Sequence, residues 1–237
     1  MLSDEARPAE EEPVARIIDL SASLTNETML PPTVTRTVEF STYHHPGPGH
    51  WQASWASISV HSAAHVDSPL HVLPDQPVIG EIPLEKTIGE LLVLDLPDKC
   101  APDAHIGRAD LERFDADFRE DDIVMLKTGW SDRAWGTPDY WDAGPWVDAE
   151  AAEYLVSKKP KAVVFDSFEE LGARNPNFKP EDFVMHRILL GAGIILIEGT
   201  YNVHQLTKKR YRQFFAAPLK MMEVEAAPAR IFVIDDD

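Results

Sequence analysis

The chain has 237 residues, of which 44% are hydrophobic, and it carries a formal net charge of −18. This length suits one domain with a sizeable core. The strong negative charge argues against binding to nucleic acid phosphates or anionic lipid. No apolar run approaches the roughly 20 residues that cross a bilayer. We therefore expect neither nucleic acid nor a membrane as a partner.

The first residues and the cysteine content narrow the setting further. Residues 1–14 are acidic and have no apolar centre, which predicts a disordered tail rather than a secretory signal. Residues 15–237 then form the predicted domain. Cys100 is the single cysteine, so an internal disulfide and a cysteine-based zinc site are excluded. A cytoplasmic location is the resulting expectation.

Short apolar runs rich in β-branched residues predict strands along the whole chain. These runs are residues 16–20, 34–40, 55–60, 91–96, 122–127, 162–166, 194–198 and 231–234. A helix is predicted after Asp148, a good N-cap residue, and it ends before Pro160. Further helices are predicted at 180–190 and 110–114. This order predicts an α/β domain with a mixed sheet rather than a regular doubly wound one.

The segment most indicative of chemistry is His61-Ser-Ala-Ala-His65-Val-Asp67-Ser-Pro69-Leu-His71. It holds three of the nine histidines in the chain, together with an aspartate. Imidazole nitrogens and carboxylate oxygens are the ligands that divalent transition metals prefer. The spacing therefore indicates a metal site rather than a polar loop with incidental histidines.

The same spacing constrains the backbone of this segment. A straight helix would turn Asp67 away from His61 and His65. A straight strand would separate the two histidines by about 13 Å, at roughly 3.3 Å per residue. A bend is therefore required between them, and the small residues Ala63 and Ala64 are the expected place. Pro69 disfavours a continuous α-helix through the segment.

These residues resemble the His-x-Gly-Thr-His-x-Asp-x-Pro-x-His signature of the cyclase-family metal-dependent hydrolases, which include bacterial kynurenine formamidase and isatin hydrolase. The chain departs from the signature at Ala63-Ala64, where the family usually has Gly-Thr. Further segments resemble the family in the same order: 18–24, 124–130, 165–167, 186–190 with 197–199, and 218–220 with 227–230.

The resemblance implies a site and a chemistry. His61, His65 and Asp67 would be metal ligands. His186 and Glu198 would complete the site, or hold a second ion that Asp67 bridges, and Glu198 is also a candidate catalytic residue. His71 would be the catalytic proton shuttle, a task suited to a pKa near 6.5. The cofactor would be Zn²⁺ or Mn²⁺, and the reaction hydrolysis of a small-molecule amide, lactam or ester. The implied fold is the swivelling β/β/α type, assembled as a homodimer or homotetramer.

Aromatic residues suggest where such a substrate could bind. Phe40, Trp51 and Trp55 lie close to the cluster in sequence and could form a wall for a planar substrate. The tryptophan-rich stretch 130–146 contains Gly and Pro, which predicts a long loop over a site or an interface.

Three other functions fit part of the sequence. His65, Asp67 and a distant histidine such as His204 could form the facial triad of a non-heme iron oxygenase, with Arg210 or Arg212 holding an oxoacid. The same metal site could run ring closure or dehydration on a polyketide-like substrate. A family member that lost catalysis would only bind a metabolite or a partner.

Overall fold

A mixed β-sheet organises the chain in the computed structural model, which describes residues 15–32, 34, 36–44 and 47–236. The predicted tail at residues 1–14 lies outside the described residues. The strands are β1 Arg16–Asp19, β2 Glu39–His44, β3 Gln52–Ser57, β4 His65–Asp67, β5 Ile88–Asp95, β6 His105–Ile106, β7 Ile123–Lys127, β8 Trp146–Val147, β9 Ala162–Phe165, β10 Ile195–Glu198, β11 Arg210–Pro218 and β12 Ala226–Asp235.

Helices are short and fill the connections. The α-helices are α1 Arg108–Glu112, α2 Trp130–Ala134, α3 Asp139–Asp142, α4 Ala149–Lys158 and α5 Val184–Gly191. Single 3-10 turns lie at Pro69–His71, Ile79–Glu81, Leu84–Lys86, Pro97–Lys99, Asp115–Asp117, Leu171–Arg174, Pro180–Asp182 and Val203–Gln205. No helix in the described part of the chain has the length and apolar character to span a membrane.

The main sheet has the strand order β1-β12-β11-β5-β7-β9-β10-β4. Strand β4 pairs with β10 on one side and with β12 on the other, so the sheet closes on itself like a barrel. Strands β5, β7, β9 and β10 run parallel, and the remaining pairs are antiparallel. The predicted α/β class with a mixed sheet is thus confirmed.

The sheet is buried on both faces. Along β5, Leu91 and Val93 pack in one apolar cluster while Leu92 and Leu94 pack in a second cluster with α4 and α5. Successive side chains of a strand point to opposite faces, so a continuous apolar run serves two cores. Residues 162–165 have the same continuous pattern, and all four are buried.

The predicted helix after Asp148 is confirmed. The Asp148 side chain accepts a hydrogen bond from the Ala151 amide, and Lys159 ends the helix in the left-handed conformation. The predicted strand at 34–40 was misplaced, because Val38 packs into the body while pairing begins only at Glu39. Strands β2 and β3 pair with each other as a separate hairpin. Strands β4 and β11 were not predicted from periodicity.

Candidate metal centre

The predicted bend between His61 and His65 is present in the structure. Ala63 adopts a positive φ of 54°, which turns the chain back on itself. The bend brings the two imidazole rings to a centroid distance of 5.2 Å. The backbone of Gly199 packs against this turn so closely that an added Cβ would lie 2.0 Å from the Ala63 carbonyl oxygen.

Strand pairing then brings a carboxylate to the bend. The register of β4 with β10 places Glu198 opposite His65 and Leu196 opposite Asp67. His65 and Asp67 are two residues apart on one strand, so their side chains share a face. The site is thus built where three strands meet at the closure of the sheet.

All five predicted ligands converge at this point. Asp67 Oδ1 lies 3.0 Å from His61 Nδ1 and 3.5 Å from His65 Nε2. Glu198 lies 3.6 Å from His65 Nε2 through Oε2 and 3.2 Å from His186 Nε2 through Oε1. The His186 Nε2 to Asp67 Oδ2 distance is 4.0 Å. Atoms bound to one ion at about 2.1 Å lie about 3–4 Å apart, so these separations suit a cation.

Each of the three imidazoles has its other ring nitrogen against a protein oxygen. The contacts are His61 Nε2 to Glu225 Oε1 at 2.9 Å, His65 Nδ1 to the Ala63 carbonyl at 2.8 Å, and His186 Nδ1 to Glu170 Oε2 at 3.1 Å. Such contacts fix the tautomer and the orientation of metal-binding histidines. The second nitrogen of each ring is thereby left to face the common centre.

Buried polar atoms at this centre lack hydrogen-bond partners of acceptable geometry. Within the described part of the chain these atoms include His65 Nε2, both Asp67 carboxylate oxygens and Glu198 Oε1. Leaving such atoms unpaired in the interior is costly. A divalent cation would satisfy all of them at once, and two imidazoles with a carboxylate (His61, His65 and Asp67) form one compact donor group. The residues therefore fit the metal that the sequence predicts.

Electrostatics couple these groups strongly. Burial alone would lower the pKa of His61, but the carboxylates of Asp67 and Glu225 raise it to about 10. Burial also opposes ionisation of Asp67, yet the neighbouring imidazoles hold its pKa well below the usual range. The pKa of His186 is raised by Glu170 and Glu198 against the effect of burial. A divalent cation would displace protons from these imidazoles on binding.

His71 lies beside the ligands in a different environment. It ends the 3-10 turn Pro69–His71, and its ring centroid is 4.2 Å from that of His61 and 5.5 Å from that of His186. Burial lowers the pKa of His71 to about 4, with the two other imidazoles acting in the same direction. The sequence suggested a value near 6.5 for this residue. The structure instead makes it a neutral base at pH 7.

A cavity of about 270 Å³ opens onto the five predicted ligands and His71. Its apolar wall includes Trp141, Phe168, Phe178 and Phe183. The aromatic residues predicted for this role, Phe40, Trp51 and Trp55, are not among the residues that line it.

Those three residues lie on the β2–β3 hairpin with 37%, 54% and 65% of their surface exposed. Proximity in sequence was a poor guide here, because β2 and β3 pair with each other rather than with the main sheet. The predicted aromatic wall is therefore corrected to residues from the second half of the chain.

The tryptophan-rich stretch also differs from its prediction. Residues 130–146 form α2, α3 and β8 instead of a long loop. Trp130, Tyr140 and Trp141 pack with Phe168 in a buried aromatic cluster. Trp141 belongs to this cluster and also lines the cavity, so the stretch contributes a residue to the site.

The iron oxygenase hypothesis is not supported by the geometry. His204 is 66% exposed and bonds Asp132, whereas Asp67 is buried. Arg210 forms ion pairs with Asp122 and Glu90, which occupy its guanidinium. The mixed sheet with helices also differs from the all-β fold that this hypothesis requires.

Three glutamates near the site were missed by the sequence analysis. Glu170 and Glu225 contact ring nitrogens of His186 and His61. Glu169 is fully buried and lies with His186 and Glu198 in one group of potential ligands. Burial raises the pKa of Glu169 well above its usual value, and the Glu198 carboxylate acts in the same direction. For Glu169 and Glu170, the available signal was a pair of adjacent acidic residues shortly after the apolar strand β9.

Residues 18–169 match the Cyclase family. The chain belongs to the Cyclase family. This Cyclase-family protein is 28% identical over 187 residues to the kynurenine formamidase of Salinibacter ruber, an alignment that covers 75% of the chain and 77% of that relative.

Two solved structures have the same fold. A protein described as a predicted metal-dependent hydrolase from Bacillus stearothermophilus superposes with a TM-score of 0.73 at 25% identity, covering 94% of this chain and 99% of that one. An isatin hydrolase bound to the product analogue thioisatinate superposes with a TM-score of 0.80 at 20% identity, covering 94% and 93% of the two chains.

Proposed function

We propose that this Cyclase-family protein is a metal-dependent hydrolase that cleaves an amide, lactam or ester of a small aromatic molecule. The observation that carries the proposal is the convergence of His61, His65 and Asp67 beside an aromatic cavity. The kynurenine formamidase and isatin hydrolase relatives support the same class of reaction.

His61, His65 and Asp67 would hold one divalent cation, and His186 and Glu198 would complete its surroundings or hold a second ion. When bound, the divalent cation would polarise a carbonyl group and lower the pKa of a water molecule, to about 7 in the case of Zn²⁺. The protein contributes ligands whose imidazoles are oriented by contacts with Glu225, Glu170 and the Ala63 carbonyl. A fixed arrangement spares the reacting groups from reorganisation during the reaction.

His71 is the group that moves protons in this proposal. Its lowered pKa leaves the ring neutral at pH 7, with a proton on only one of its two nitrogens. The other nitrogen can therefore accept a proton from the attacking water. The resulting imidazolium then donates that proton to the leaving nitrogen or oxygen. Carboxylates at Asp67 and Glu198 raise the pKa of His71, and so stabilise the transient cation. General acid–base catalysis of this kind contributes about 10²–10⁴-fold.

The cavity selects the substrate class. Rings at Trp141, Phe168, Phe178 and Phe183 line the cavity together with the polar ligands. A flat aromatic ring with an adjacent carbonyl would place its ring against this wall and its carbonyl toward Asp67 and His65. Aryl formamides, fused lactams and aryl lactones share this form.

Metal analysis followed by substrate screening tests the proposal. The purified protein is analysed for bound metal, made metal-free, and assayed against aryl formamides, lactams and lactones with Zn²⁺ or Mn²⁺ restored. Hydrolysis that disappears with a chelator and returns with one of these ions is the expected result. Absence of hydrolysis across the panel contradicts the proposal. Activity that requires ferrous iron and oxygen, or dehydration without hydrolysis, would favour the alternatives.

The expected assembly of two or four copies stays a prediction. The exposed aromatic residues Tyr43 and Trp55 on the β2–β3 hairpin are the feature that supports it, because large apolar side chains concentrate at protein interfaces.

A further inference from the structure

Glu169 is a buried carboxylate that the mechanism above does not use. Its exposed fraction is 0%, and neither carboxylate oxygen has a hydrogen-bond partner of acceptable geometry among the described residues. By contrast, the neighbouring Asp166 is equally buried and accepts hydrogen bonds from Thr128 and Gly129. A buried carboxylate without a donor is costly to keep, so its retention calls for a partner.

The surroundings of Glu169 show what kind of partner fits. A carboxylate oxygen of Glu169 lies within 4.8 Å of ligand atoms of both His186 and Glu198. His186 Nε2 is 3.2 Å from Glu198 Oε1, and the latter atom also lacks a hydrogen-bond partner within the described ranges. Two carboxylates therefore surround one imidazole nitrogen, an arrangement in which a divalent cation could replace the imidazole proton.

Two consecutive glutamates, Glu169 and Glu170, lie close to the imidazole ring of His186. Glu170 Oε2 lies 3.1 Å from His186 Nδ1, so Nδ1–H donates to it and Nε2 is the nitrogen from which a cation would displace a proton. Glu169 lies in one group with this ring and Glu198, whose Oε1 is 3.2 Å from His186 Nε2. The chain thus places Glu170 as the orienting group and the preceding residue, Glu169, as a potential ligand.

We propose that Glu169 is a direct metal ligand and that Glu169, His186 and Glu198 together bind a divalent cation at the buried end of the site. The proposal rests on the proposed function in one respect, namely that the cavity holds a divalent cation. Two carboxylates with one imidazole suit Mn²⁺ well, since oxygen donors favour that ion. The group of His61, His65 and Asp67 is richer in nitrogen by comparison.

A competing role for Glu169 is to share a proton with Glu198 as a structural pair. The two roles differ in what the isosteric variant Glu169→Gln does. If Glu169 is a ligand, the variant binds metal more weakly. The stability of the metal-free protein does not fall, because the replaced carboxyl group had no hydrogen-bond donor among the described residues. A lost structural pair lowers the stability of the metal-free protein and leaves metal affinity unchanged.

The test is a titration of metal-free protein with Mn²⁺ alone, in which free Mn²⁺ is followed by electron paramagnetic resonance. Glu169→Gln is expected to lose Mn²⁺ affinity tenfold or more, or to lose one bound ion per chain, with an unchanged or higher melting temperature before metal is added. The matched control is Asp166→Asn, which removes an equally buried carboxylate from the same segment. It is expected to lower the melting temperature and keep Mn²⁺ binding.

Unchanged Mn²⁺ affinity and stoichiometry in folded Glu169→Gln overturns the proposal. A melting temperature that falls as in Asp166→Asn, with normal Mn²⁺ binding, assigns Glu169 to the structural pair instead. Wild-type protein that binds Mn²⁺ but hydrolyses nothing would refute the proposed function alone, because the binding titration does not depend on turnover.

Discussion

The Nδ1 atom of His65 lies 2.8 Å from the carbonyl oxygen of Ala63, two residues earlier in the chain. A carbonyl oxygen can only accept a hydrogen bond, so Nδ1 carries the proton and Nε2 has the lone pair that can bind a metal. The residue that bends the backbone therefore also fixes the tautomer of the neighbouring ligand. This couples the conformation of Ala63 to the geometry of the metal centre.

Ala63→Gly is expected to stabilise the protein by about 0.5–1 kcal/mol, because glycine adopts a positive φ without the steric cost that alanine has there. Part of that gain is offset by the greater freedom of glycine in the unfolded chain. Urea unfolding measures the change. Ala64→Gly is the control and is expected to destabilise, since Ala64 is buried and is not among the described residues with positive φ. Equal destabilisation by both variants would contradict the role of Ala63.

Gly199→Ala is expected to abolish the metal site or prevent folding. The added Cβ would lie 2.0 Å from the Ala63 carbonyl oxygen, and both backbones meet at the ligands His65 and Glu198. Gly193→Ala has the same kind of positive φ, but no atom of the described residues lies within 4 Å of its Cβ position. This control is expected to cost only about 1 kcal/mol. Yield of folded protein and bound metal distinguish the two, and similar behaviour of both variants would argue against the close contact.

His71→Ala is expected to keep the bound metal and to lower kcat by about 10²–10⁴-fold, because the proton carrier is lost while the ligands remain. Metal analysis and steady-state kinetics on a hydrolysed substrate check this outcome. His204→Ala is the control, since His204 is exposed and bonds Asp132. Its turnover should match that of the unaltered protein. Full activity of His71→Ala would remove this residue from the mechanism.

The metal-free protein is expected to lose stability as the pH rises from about 6.5 to about 10. The pKa of His61 is raised to about 10 in the folded state by Asp67 and Glu225, so its proton stabilises the fold fully below the unfolded value near 6.5. That contribution is lost as the pH passes through about 10, and His186 shifts in the same direction. Melting temperatures measured across this range check the slope.

Metal-loaded protein provides the comparison for that experiment. A cation replaces the protons of His61 and His186, so the fall in melting temperature between pH 6.5 and 10 should be smaller than in the metal-free form. A metal-free protein whose stability is flat or rises over this range would show that the two imidazoles are not held protonated by their carboxylates.

Some features of this chain could be predicted from the sequence because they depend on residues only a few positions apart. The bend at Ala63 follows from the spacing of His61 and His65, which neither a straight helix nor a straight strand can bring together. The helix after Asp148 follows from a cap that bonds within its own first turn. The family resemblance extended this reach to His186 and Glu198, which the residues by themselves did not assign.

The tertiary structure decided which distant side chains share the site. Closure of the sheet through β4 sets Glu198 beside His65, and β12 delivers the segment that carries Glu225 to His61. Glu169 is a ligand candidate only because His186 and Glu198 reach it from other elements. The prediction that Phe40, Trp51 and Trp55 line the cavity was wrong for the converse reason. These residues are close to His61 in sequence, but they lie on a hairpin whose two strands pair with each other and not with the main sheet. Sheet closure and the choice of strand partners join residues that are far apart in sequence, so the local spacing of residues does not specify them.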